Sequence, residues 1–390
     1  MRVSDPVIMG ALGFSLALSA FLLSTCLCAV MRVVSPKIGL IDSPGGHKGH
    51  KKPTPLGGGV AIWLTTVIVV GIGFVVADVD GGLLPAALLK HLGGIHERAR
   101  ELILILALAT IVMGMGLLDD RFTLGWRIRL GVQVGLALTL VLLGGLRVTL
   151  FWPFSHPIVG GAITVLWIVG LTNAFNMLDN MDGLSAGVGL VASALFAGAQ
   201  LAVGSLFAPG VLLVLVGALA GFLIHNRYPA RIFMGDAGSN FLGFLLGSLT
   251  VAGTYYRYNS GLSPYSVLSP LLVMAVPLYD SISVIVIRLR EGRSPFLGDR
   301  RHFSHRLVDR GLTPPQAVRT IDLVTLASGL GALLLHSLDA FGACVVVGQT
   351  LCLLGVVAIL EVSSPRPERV HAEAKRIADI PSETGASTEA

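Results

Sequence analysis

The chain has 390 residues, 53% of them hydrophobic and 13% charged, whereas an ordinary soluble domain carries about 25% charged residues. A water-soluble fold has no place for that much apolar surface, so the composition excludes a cytosolic globular protein and makes the bilayer the main solvent. The net charge of +5 comes without a basic soluble domain or a nucleic-acid recognition fold, which sets nucleic acid aside as a partner and leaves the membrane surface.

Apolar runs between charged interruptions predict an all-α fold, a polytopic membrane helical bundle of about eleven transmembrane helices. In chain order they lie near 8–31, 56–76, 101–118, 130–146, 158–175, 184–203, 210–226, 238–256, 266–288, 321–338 and 341–360. The first run is long for a signal peptide and reads as a retained helix, and Thr25 stands before Cys26 where a lipoprotein box needs Gly or Ala. Cys26, Cys28, Cys344 and Cys352 all fall inside apolar runs, where a thiol behaves as a small hydrophobe and no disulfide framework is expected. Loops after odd-numbered spans, with the C-terminal tail, hold 22 of the 28 Lys and Arg. The positive-inside rule therefore puts the N-terminus outside and the C-terminus in the cytoplasm. Residues 1–362 read as the transmembrane domain, and 363–390, rich in Pro, Glu, Ser and Thr, as a disordered cytoplasmic tail.

Acidic groups at span ends are costly in a membrane protein and mark functional candidates. Asp42, Asp119, Asp120, Asp179, Asp182 and Asp236 all fall on the expected cytoplasmic side. The first motif is the pair Asp119 and Asp120, followed by Leu124 and Arg129. Adjacent carboxylates repel, and they are most useful where a divalent cation or a proton is shared; a polar helix end facing solvent is the plain alternative. In the second motif, Asn173, Asn176, Asp179 and Asp182 recur every third residue ahead of Gly183, so on a helix they fan across one side. Amide and carboxylate oxygens there suit a hard cation such as Mg²⁺ completed by substrate phosphates. The third, Gly235, Asp236, Ala237, Gly238 and Ser239, sets an acid between glycines at a helix start. The fourth is the most basic loop, with Arg301, His302, His305 and Arg306. His302 and His305 share a face if the segment is helical, but no third ligand is spaced for zinc. Arg and His donating to phosphates and sugar hydroxyls is the better use of that composition.

Together these motifs resemble the polyprenyl-phosphate N-acetylhexosamine-1-phosphate transferases, from about Gly39 to Gly311. The likeness includes Asp42, Ser43 and Pro44 and the run from His50 to Gly58, besides the four motifs above. It implies a cytoplasm-facing active-site cleft in a bacterial plasma membrane, Mg²⁺ (or Mn²⁺) as cofactor, a UDP-activated amino sugar as donor, a polyprenyl phosphate such as undecaprenyl phosphate as acceptor, and a homodimer as the assembly to test. By motif position, Asn176 and Asp236 would hold the metal. Asp119 would be the base on the lipid phosphate, supported by Asp120, and Asp179 either a metal ligand or a nucleophile. Asp182 would lie near the uracil, with Asn173, Arg129, Arg301, His302, His305 and Arg306 the remaining substrate-binding candidates. The His50 to Gly58 run and the eleventh span are similar to the teichoic-acid and common-antigen type, which use UDP-GlcNAc to begin a cell-envelope glycan. The branch that takes UDP-MurNAc-pentapeptide usually has adjacent histidines where this chain has His302, Phe303, Ser304 and His305.

Exchange of one phosphoanhydride for another needs no ATP site, and no Gly-x4-Gly-Lys-Ser/Thr run is present. A secondary transporter is the competing class, and Asp280, inside the ninth span after Pro277, is the residue that favours it. A CDP-alcohol type transferase lacks its Asp-Gly-x2-Ala-Arg signature here.

Overall fold

In lipid each backbone N–H and C=O must find its partner inside the protein, and the apolar runs accordingly fold as helices. A computed structural model describes residues 5–42, 53–78, 92–149, 156–256, 261–294 and 301–363. The run from His50 to Lys52 and the tail beyond 363, both singled out in the sequence, lie outside the described residues. Among the described residues there are thirteen α-helices: α1 Asp5–Lys37, α2 Gly58–Asp78, α3 Leu92–Phe122, α4 Trp126–Gly144, α5 Pro157–Leu178, α6 Leu184–Ala202, α7 Phe207–Asn226, α8 Gly235–Ala252, α9 Ser269–Val273, α10 Ala275–Arg290, α11 Phe303–Asp309, α12 Pro314–Leu330 and α13 Ala340–Ser363. Strand β1, Ile41–Asp42, pairs antiparallel with β2, Thr54–Pro55.

Eight of these helices are long and apolar enough to cross a membrane, and the chain is an all-α polytopic membrane protein. A ninth expected span is broken: Pro264–Val273 and Ala275–Arg290 meet at 57° around Met274. Pro277 marks that break only indirectly, because it stands in the first turn of α10, where a missing N–H is tolerated. The other two expected spans are α8, whose first turn is polar, and the 17-residue α12, entered through a capping box between Thr313 and Gln316. Charged residues misled the boundaries elsewhere. Helix α3 runs beyond the expected 101–118 at both ends and carries Arg98, paired with Glu101 and lying over the Phe207 ring, near its N-terminal end.

Helix α8 is the centre of the bundle. Every residue from Ala237 to Thr250 is buried, as expected of a helix apolar almost all round. It packs against α2, α3 and α5, while α1 lies on α7 and α7 on α6. The N-terminus of α8 is held by the segment leading into α2: Gly58 N–H donates to Phe233 O at 3.0 Å, Gly59 N–H to Met234 O at 3.0 Å, and Phe233 N–H to Pro55 O at 2.9 Å. One end of the bundle thus gathers the ends of α3, α4, α5 and α8.

Candidate active site

Three of the four motifs of the sequence occupy those gathered ends. Asp120, in the last turn of α3, reaches across to the N-terminus of α8. Its Oδ1 accepts from Asp236 N–H at 2.8 Å and its Oδ2 from Ala237 N–H at 3.1 Å, so a carboxylate from α3 satisfies two of the orphan donors of α8. Gly235 makes this approach possible on two counts: its φ is +71°, and a Cβ there would sit 2.6 Å from Asp120 Oδ2. Asp119 is equally engaged. Its Oδ1 accepts from Leu124 N–H at 2.5 Å and its Oδ2 pairs with Arg129 Nη1 at 2.7 Å, with 3% of the side chain exposed.

Arg129 lies in the first turn of α4, and its Nη1 also stands 3.4 Å from Asp236 Oδ2. The guanidinium therefore spans the two acids. Asp236 Oδ1 accepts from Asn176 Nδ2 at 2.7 Å, and the same amide lies 3.1 Å from Ser239 Oγ. One third of the Asp236 side chain remains exposed, which makes it the accessible member beside buried Asp119. Below it runs a ladder of amides: Asn240 Nδ2 donates to Asp236 O at 2.7 Å, Gln133 Nε2 to Asn240 Oδ1 at 3.1 Å, and Asn173 Nδ2 to Gln133 Oε1 at 2.6 Å. Asn173, expected among the substrate contacts, is thus also a rung of this ladder. Gln133 was missed in the sequence, although an amide alone in an apolar helix was a signal for it.

The every-third-residue fan is helical only in part. Helix α5 ends at Leu178, so Asn173 and Asn176 lie on its last turns, Asp179 is the C-cap, and Asp182 falls in the turn that follows. Asp182 Oδ2 accepts from Ala230 N–H at 2.9 Å, and Gly183, at φ +80°, donates its N–H to Asn226 Oδ1. Burial pushes the Asp179 carboxyl up to about 7; the charges of Asp120 and Asp182 add to this, and the Gly235 N–H works against it.

The basic loop is arranged differently from its sequence reading. His302 has extended backbone and is the N-cap of α11, so it does not share a helical face with His305 inside that helix. A buried acid holds the turn: Asp280 Oδ2 lies 3.0 Å from His302 Nδ1, and Asp280 Oδ1 accepts from Phe303 N–H at 2.6 Å. The acid that favoured a transporter is therefore partnered by the loop. Ser304 Oγ donates to Asn180 Oδ1 at 2.5 Å, which ties this turn to the residue next to Asp179. Arg306 turns elsewhere, donating to Ser283 Oγ at 2.7 Å, facing Glu361 at 3.3 Å and lying over the Tyr279 ring, and Arg301 pairs with Glu291. The His302 turn is tied through Ser304 to Asn180, beside Asp179, whereas these two arginines bind other parts of the chain.

A family profile described as Glycosyl transferase family 4 matches residues 102–254, the stretch from α3 through α8 that holds the cluster. The chain is 31% identical over 365 residues to a decaprenyl-phosphate N-acetylglucosaminephosphotransferase of Mycolicibacterium smegmatis, covering 85% of this chain and 82% of the relative. It is 29% identical over 335 residues to a probable undecaprenyl-phosphate N-acetylglucosaminyl 1-phosphate transferase of Bacillus subtilis, covering 84% and 86%. Against an undecaprenyl-phosphate alpha-N-acetylglucosaminyl 1-phosphate transferase of Escherichia coli the identity is 29% over 325 residues, or 80% of each chain.

Proposed function

The chain belongs to glycosyl transferase family 4, and we propose that it transfers N-acetylglucosamine 1-phosphate from UDP-N-acetylglucosamine to a polyprenyl phosphate, releasing UMP. The observation that carries this reading is the cluster of polar side chains at the start of α8, where Asp236 is bound by Asn176 and faced by Arg129, with Asp119 and Asp120 beside it.

The donor set suits Mg²⁺. Its ligands are carboxylate and amide oxygens with no thiol among them, and no group of three His, Cys, Asp or Glu among the described residues forms an all-protein cage. Mg²⁺ typically takes one or two protein groups and completes its shell with water and substrate phosphates. Asp236 and Asn176 would hold it, with Asp179 the further acid in reach; bound there, it would neutralise the diphosphate and favour loss of UMP. The remaining work is positioning and charge stabilisation by the protein. An oxygen of the lipid phosphate attacks the donor's β-phosphorus, the bond from that phosphorus to the UMP oxygen breaks, and a sugar diphosphate lipid forms. Arg129 supplies positive charge between the two acids, and His302 offers its ring to the donor. The same basic-residue asymmetry that orients the spans supports a cytoplasmic site and C-terminus, the N-terminus lying outside.

Purified enzyme in lipid, supplied with labelled UDP-N-acetylglucosamine, polyprenyl phosphate and Mg²⁺, should yield labelled lipid and UMP in equal amounts. Labelled lipid formed only from UDP-MurNAc-pentapeptide would replace the donor, and no UMP from either nucleotide would end the proposal.

A further inference from the structure

Asp280 is fully buried on α10, in one half of the broken span, and the transfer chemistry above gives it no role. A carboxylate taken out of water is costly unless charge and hydrogen bonds compensate it. Both of its oxygens are matched, and both partners lie in one turn: Phe303 N–H on Oδ1 and His302 Nδ1 on Oδ2. Because a carboxylate only accepts, the His302 proton on that side belongs to Nδ1. A carboxamide cannot replace it. With one acceptor oxygen, an Asn here would turn its NH₂ either on the Phe303 N–H or on Nδ1, and the second choice reverses the imidazole tautomer.

The turn is restrained from the other side as well, by Ser304 Oγ on Asn180 Oδ1 next to Asp179. His302 is thus held on one side by a buried acid, in a turn whose next residue but one binds Asn180, with 8% of its side chain exposed. Among the described residues the bond to Asp280 is the ring's one hydrogen bond, so Nε2 is the nitrogen left for a ligand. We propose that Asp280 is a positioning residue of the transfer site, fixing the seat and tautomer of His302 so that Nε2 meets the diphosphate of the nucleotide sugar. This rests on the reading of the site as a nucleotide-sugar transferase.

The test is a double-mutant cycle on full-length enzyme in lipid, reading UMP release against UDP-N-acetylglucosamine concentration. Asp280→Asn should lower kcat/KM by about 10- to 100-fold, the worth of one charge-assisted hydrogen bond. In a His302→Gln background the same change should cost less than about twofold. Equal losses in both backgrounds, or wild-type activity in Asp280→Asn, would overturn the assignment. A second readout does not depend on turnover: the ¹⁵N spectrum of histidine-labelled wild-type enzyme, with the His302→Gln spectrum subtracted. It should show a proton on His302 Nδ1, and a bare Nδ1 refutes the proposal even if Asp280→Asn does not fold. Absence of UMP release from wild type would defeat the transferase reading and leave this tautomer result to judge the pair alone.

Discussion

Gly116 lies one turn before Asp119 on α3, where that helix crosses the start of α8. A Cβ added there would stand 2.3 Å from Asp236 O, 2.5 Å from Asp236 C and 2.6 Å from Ala237 N. All three are backbone atoms, so no side chain can rotate out of the way. Ordinary contact begins near 3.4 Å; Gly116→Ala must therefore part the helices by about 1 Å, an overpacking that costs about 1–3 kcal/mol. The same shift stretches the 2.8 Å and 3.1 Å bonds from Asp236 and Ala237 N–H to Asp120 toward the limit of hydrogen bonding. Misplacement on that scale lowers turnover by about 100-fold. Gly114, two residues away, would place a Cβ with nothing within 4 Å of it and is the matched control. UMP release and thermal unfolding of both variants in the same lipid provide the assay. Gly116→Ala should lose about 100-fold in kcat with a lowered Tm, and Gly114→Ala should match wild type in both. Wild-type turnover in Gly116→Ala would refute the close crossing and the dependence of Asp236 on it.

Asn176→Ala and Asp236→Ala should each reduce UMP release by about 100-fold or more while the protein still inserts and elutes as one species, since a site with few protein ligands tolerates little loss. Asp179 gives the metal-free protein a pH dependence: its folded pKa, about 7, is raised, so its stabilising contribution is complete below the ordinary carboxyl range and is lost as pH rises through about 7. The rise in Tm on adding Mg²⁺ should accordingly be larger at pH 8 than at pH 6, and an equal rise at both would remove Asp179 from the metal site. Arg293, exposed beyond α10, should be labelled as Arg293→Cys in a cysteine-free background only by reagents admitted to the cytoplasmic side; labelling from outside would invert the orientation. Asp119→Asn should lose activity equally from pH 6 to pH 9, and recovery in alkali would restore it as a base.

The sequence made the cluster legible because polar groups at the membrane boundary are costly, and Asp119, Asp120, Asn176, Asp179 and Asp236 recur together there, although each alone also reads as a polar helix end. It also marked α8, whose glycines and acid introduce an apolar run. Contacts between distant segments were not legible. Nothing near Arg306 in the chain foretells Glu361 as its partner, and nothing near Asp280 announces that His302 closes over it. The break at Met274 was hidden too, because composition alone cannot distinguish one apolar helix from two short ones meeting at an angle. Spacing also misplaced His302, since a period of three implies a shared face only if the helix begins early enough, and α11 begins one residue too late.

The engaged state of the acid pair bears on how the reaction starts. Polyprenyl phosphate is a phosphate monoester with a second pKa of about 6, so near neutral pH most of it is already dianionic and can attack unaided. A general base then has little proton to remove. Asp119 is poorly placed for that task, with one oxygen on Leu124 N–H, the other on Arg129 and almost none of its surface exposed. Its more economical role is to seat the guanidinium, just as Asp120 seats the first turn of α8. The pair would then act through what it holds: Asp120 fixes the direction of Asp236, and Asp119 keeps Arg129 where two anionic phosphates must approach each other. A carboxamide at 119 weakens the hold on Arg129 at every pH, because the loss is one of charge and geometry rather than of basicity.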